Sequence, residues 1–184
     1  MNLAAAILCP GLLLLVLGVP LVLAPQRCVM LLRAFPRSIF GAWVCFGSGA
    51  IWFLWDVWNL SEADFGEHHV LLFCIFGAIS VLAFKYTPDF LAVRGLCILV
   101  LLAADPLLKA GYMKFDFPEV NFQKILIYVC IGLAIWLGAQ PWRLRDFFVW
   151  LFARPARARG CGYLLLVYGF LLCSVAFSYS TTSG

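Results

Sequence analysis

The sequence predicts an all-α, polytopic integral membrane protein with about six transmembrane helices. They are arranged as three helical hairpins, with short amphipathic helices on the cytoplasmic side. Three observations predict this class. Of 184 residues, 65% are hydrophobic and only 12% charged, whereas a soluble domain carries about a quarter charged residues. Mean hydropathy is +1.00. The apolar residues also fall into six runs near the ~20 residues that a helix needs to cross a bilayer. The charged residues sit between these runs, as the cost of burying charge in hydrocarbon requires.

The runs place spans at 3–23, 39–57, 69–84, 91–107, 122–139 and 161–177, a single transmembrane bundle over 1–184. The first resembles the apolar core of a secretory signal, but no Lys or Arg precedes it, so it reads as a retained helix. Pro20 should kink its end. Gly41, Cys45 and Gly49 follow at four-residue steps in the second span and should let a neighbouring helix approach closely. Small residues recur in the later spans: Gly77 in the third, Gly132 in the fifth, and Gly162 and Gly169 in the sixth. The fourth span is short and is expected to close at Asp105-Pro106.

The loops set the topology. Those after spans one, three and five hold Arg27, Arg33, Arg37, Lys85, Arg94, Arg143, Arg145, Arg154, Arg157 and Arg159, against Asp89 and Asp146. The other two loops, with the helix ends flanking them, hold Lys109, Lys114 and Lys124 against seven acids. Lys/Arg excess in short loops marks the cytoplasmic side, so both termini are expected outside. The simplest compartment is a bacterial cytoplasmic (inner) membrane.

The basic loops resemble one another. Pro25-Gln26-Arg27 leads to Pro36-Arg37 and Gly41, and Pro141-Trp142-Arg143 leads to Pro155-Ala156-Arg157 and Gly160. Residues 86–95 are a shorter version, which suggests three related hairpins. Within the last loop, residues 142–154 read as an in-plane helix. Leu144, Phe147, Phe148 and Leu151 form one face, and Arg143, Asp146, Trp150 and Arg154 another, with Arg143 pairing Asp146. Gln26, Met30, Arg33 and Arg37 form a weaker stripe. Arg27, Arg33, Arg37, Arg143, Arg145, Trp150, Arg154, Arg157 and Arg159 are therefore the candidate contacts to anionic lipid headgroups or to partner subunits. Nucleic acid is excluded as a partner, because these arginines lie only beside membrane spans and no reading motif accompanies them.

Catalytic motifs are absent. The eight cysteines are scattered along the spans without a C-x-x-C, so they read as small apolar residues rather than disulfides or metal ligands. The one outer cluster able to hold a metal is Glu62, Asp64, Glu67, His68 and His69. Adjacent histidines cannot share one helix face, and a solvated acidic loop is the simpler reading. No cofactor is expected, since the two histidines are neighbours and cannot ligate haem from different helices. No span carries a charge at its centre, unlike ion pumps and voltage sensors. The expected function is thus a structural or accessory subunit of a larger membrane complex, binding other subunits or copies of itself. A small transporter or channel for a neutral or apolar solute is the alternative, and a membrane enzyme using the outer cluster is the third reading.

Overall fold

The computed structural model of the chain describes residues 2–61, 68–112 and 118–182. Its helices are α1 (Leu3–Leu23), α2 (Pro25–Ala34), α3 (Ile39–Ala42), α4 (Ser48–Trp58), α5 (His69–Tyr86), α6 (Leu91–Ala110), α7 (Val120–Ala139), α8 (Trp142–Leu151) and α9 (Pro155–Thr182). A 3-10 turn, Phe35–Arg37, follows α2, and a π-helical turn, Trp43–Gly47, joins α3 to α4. Six segments are long and apolar enough to cross a membrane: Leu3–Leu23, Ile39–Trp58, His69–Tyr86, Leu91–Ala110, Val120–Ala139 and Pro155–Tyr179. No strand occurs among the described residues. The chain is a multi-pass, all-helical membrane protein.

Two boundaries differ from the sequence expectation for clear reasons. The last span starts at Pro155, six residues early. Proline suits a first helical position, and the alanines and arginines behind it are strong helix formers, so the basic stretch itself winds into the helix. The fourth span runs through Pro106 to Ala110. There Asp105 pairs with Lys109 at 2.9 Å, one turn on, with both side chains exposed.

The chain divides into two compact units. One comprises Met1–Arg33, Ala103–Leu133 and Arg145–Gly184; the other comprises Ala34–Leu102 and Ala134–Leu144. In the first unit the tightest pairing joins the first and last spans rather than sequence neighbours. Glycines make it possible. A β-carbon on Gly169 would lie 2.9 Å from the Gly11 carbonyl oxygen, and one on Gly18 would lie 3.0 Å from that of Gly162. The two pairs are seven residues apart on each helix, two turns, so antiparallel α1 and α9 meet backbone to backbone at both levels. Leu3, Ile7, Leu172 and Ala176 then close with Val120 of α7 into a buried cluster. Gly162→Val is expected to cost about 1–3 kcal/mol in detergent melts. Gly160→Val, with nothing within 4 Å of its β-carbon position, should melt close to wild type. Equal behaviour of the two would remove the glycine contact.

At the Leu3 end of this unit a polar group is buried. Pro10 carries no N–H, so the carbonyl of Ala6, four residues back, has no helical donor. Gln123 of α7, 1% exposed, supplies one: its Nε2 donates to Ala6 O at 3.1 Å and to Leu107 O at 3.1 Å. Tyr168 of α9 donates to the Phe122 carbonyl at 2.9 Å nearby.

The second unit is built around the π-helical turn. A β-carbon on Gly95 of α6 would fall 2.2 Å from Phe46 N and 2.5 Å from Phe46 Cα. Only glycine allows that approach. Ala42 packs on Leu91 and Ala92, flanked by Phe35, Phe46 and Phe84. Val93 and Cys97 of α6 pack on Ala134 of α7. Aromatic rings join α5 to α4 and to the π-helical turn. Phe53–Phe76 and Trp58–Phe73 are edge-on at 5.1 and 5.4 Å, and Trp43 stacks on Phe84 at 4.4 Å.

Candidate functional site

The arginines are the side chains with the strongest chemical character, and local structure decides what each can do. In the first unit, α1 runs into α2, which carries Arg27 and Arg33. The packing of Leu21 and Val22 against Gly162 puts the start of α9, with Arg157 and Arg159, at that same end. Arg154 precedes it in the turn after α8. Ala6, Leu107 and Gln123 occupy the opposite end of the unit. All five of these arginines lack a carboxylate partner among the described residues. Asp146 is engaged by Arg145, whose Nε and Nη2 donate to the same Oδ1 at 3.0 and 2.8 Å.

That pairing corrects the expected Arg143–Asp146 bridge. Arg143 lies in the first turn of α8, where helical side chains lean toward the N-terminus. Its Nε accordingly donates to Gln140 Oε1, and its guanidinium lies 5.0 Å from the Trp136 ring centre. The helix expected to lie in the membrane plane also ends earlier than expected, at Leu151 rather than 154. Pro155 disfavours helical geometry at the residue before it, so residues 152–154 turn instead. Leu151 is buried and Leu144 and Phe148 are half-buried, but Phe147 is exposed and stacks on Trp150 at 6.0 Å. Trp150 is 53% exposed, with the Arg157 guanidinium 4.7 Å from its ring centre and Arg157 Nη1 donating to its carbonyl at 3.2 Å. Arginine on tryptophan leaves most of the guanidinium donors available.

The expected stripe from Gln26 to Arg37 is broken by the 3-10 turn. Arg33 lies in the last turn of α2, while Arg37 lies in the second unit with its guanidinium 5.5 Å from the Phe90 ring centre. Proline at 36 interrupts the helical period between them. Arg94 is exposed on the first turn of α6.

Of the expected close-packing positions, Gly41 lies against Ala92 at 3.3 Å, Gly49 against Ile98 at 3.1 Å and Gly169 against Gly11. Cys45 adjoins the Gly95 contact through its backbone. At Gly77 and Gly132 nothing lies within 4 Å of a β-carbon position, so no helix of this chain approaches closely at either. A small residue permits close approach without requiring it. Gly11, Gly18, Gly95 and Gln123 are the packing positions that sequence reasoning missed.

Gly77 instead lines an open groove of about 750 Å³ with Trp43, Gly47, Ser48, Ile51 and Phe84. The hydroxyls at its wall are turned inward. Ser48 Oγ donates to the Val44 carbonyl and Ser80 Oγ to the Phe76 carbonyl, the latter at 2.8 Å. The groove therefore presents an apolar surface. A second apolar groove of about 570 Å³ lies beside it, lined by Ile51, Trp55, Trp58 and Phe73.

In the outer cluster, Glu62, Asp64 and Glu67 lie outside the described residues. His68 is exposed, and His69 meets the Trp58 ring edge-on at 5.3 Å. Among the described residues no three metal-ligating side chains converge. Comparison with protein-family models, curated proteins and solved structures finds no match for this chain.

Proposed function

We propose that this chain is a structural or accessory subunit of a larger membrane protein complex, seated in a bacterial cytoplasmic (inner) membrane. Its α2 and α8 act as amphipathic surface helices whose arginines rest on anionic headgroups. The observation that supports the subunit role is the packing of α5. This 18-residue span buries none of its residues, and its Gly77 flank opens on the apolar groove beside Gly47. Helices in a bilayer associate by close packing at small residues. A further helix in that groove supplies what α5 lacks within the chain.

Photocrosslinking in the native membrane tests the reading. A photoreactive residue at Gly77 or Ile51 is expected to give one protein adduct of defined mass, recovered in constant ratio to the chain. The same probe at exposed Leu17 of α1 should give lipid adducts. If the groove positions also yield lipid alone, the subunit reading fails.

A further inference from the structure

The pairing of α1 with α9 does more than hold two helices together: it brings the first basic loop to the last. Gly11 faces Gly169 and Gly18 faces Gly162, so residue numbers fall along α9 as they rise along α1. Continuing that register sets Arg159 level with Leu21 and Arg157 level with Leu23; α2, with Arg27, follows α1 at this end, and Arg154 lies in the turn just before α9. Four arginines from opposite ends of the sequence thus share one end of one unit. None has a carboxylate partner among the described residues, and the neighbouring Asp146 is occupied by Arg145. Arg157 is held by Trp150, which is itself exposed next to Phe147, the aromatic arrangement that suits headgroup depth.

We infer that this end of the unit binds a phospholipid whose headgroup carries two phosphates. The inference rests on the anionic-lipid part of the proposed function and sharpens it. A single phosphate offers one formal charge to four guanidinium groups. Two linked phosphates accept several forked hydrogen bonds at once and lose less freedom than two separate lipids. The acyl chains of such a lipid run along the exposed leucines and valines of α1, Val16, Leu17 and Leu23 among them.

The test uses the full chain in neutral phosphatidylcholine nanodiscs, given equal negative charge as phosphatidylglycerol or as diphosphatidylglycerol. Native mass spectrometry after detergent extraction reads the lipid retained. Diphosphatidylglycerol is expected to remain at one per chain, with about tenfold preference over phosphatidylglycerol. The triple substitution Arg27→Gln, Arg154→Gln, Arg159→Gln should abolish that preference, whereas Lys85→Gln with Arg94→Gln should keep it. Equal retention of both lipids at matched charge overturns the two-phosphate site but leaves general headgroup binding standing. Retention of neither overturns both. Protection of Arg154 and Arg159 from an arginine-modifying reagent by a co-purified protein, with no lipid retained, also overturns it in favour of an acidic partner. The wild-type comparison decides the question even where the triple variant folds poorly.

Discussion

Replacing Gly95 with alanine is expected to lower the stability of this protein by about 3 kcal/mol or more, at the upper end of what overpacking costs. The added methyl would fall 2.2 Å from Phe46 N, 2.5 Å from Phe46 Cα and 2.7 Å from the Cys45 carbonyl carbon. All three are backbone atoms, so no side chain can rotate away. α6 would have to move off the π-helical turn, and with it go the contacts of Leu91 and Ala92 with Ala42. The wide turn at Trp43–Gly47 already carries an extra residue relative to a regular helix, a local arrangement that survives only where surroundings hold it. Gly77→Ala and Gly132→Ala are the controls. Both add a methyl in open space and replace a poor helix former, so each should be neutral or stabilising by up to about 1 kcal/mol. Thermal unfolding in detergent, followed by tryptophan fluorescence, reads all three. A Gly95→Ala protein that melts with the wild type would show that α6 does not approach the turn this closely.

These three glycines also show which parts of the structure are written locally in the chain. A 20-residue apolar run is its own evidence, because a membrane helix must satisfy its backbone internally wherever it packs. The spans were therefore legible to within a few residues, and the departures, at Pro155 and beyond Pro106, lie where propensity and a nearby ion pair override hydropathy. Partners are different. Gly77, Gly95 and Gly132 are indistinguishable as letters, yet one touches a backbone and two touch nothing. A usable signal did exist for the α1–α9 pair: glycines recur at seven residues in both helices, at 11 and 18 and at 162 and 169. The positions of the arginines were legible in the same way. Their pairings were not, because a long side chain in a first helical turn reaches backward, as Arg143 does to Gln140.

Gln123 is the instructive case, and substituting leucine there is expected to cost about 3 kcal/mol at nearly constant volume. At the edge of a span it reads as a polar flank, but its amide is buried against two carbonyls from other helices. Each carbonyl lacks its helical donor for a separate reason. Ala6 is four residues before Pro10, and Leu107 lies in the last turn of α6, where Gly111 N donates to Leu108 O instead. A buried carbonyl left without a donor costs about 1–3 kcal/mol. The amide therefore ties α1 and α6 to α7, and Pro10 is what creates the need for it. A double-mutant cycle isolates this coupling. Pro10→Ala returns an N–H to α1 and gives Ala6 O a helical donor, so Gln123→Leu should cost only about half as much in that background. Melting temperatures of the two single variants and the double variant suffice to measure it. Strict additivity would mean that Gln123 does not serve the proline-freed carbonyl, and the cost of its loss would then belong to Leu107 and to packing alone.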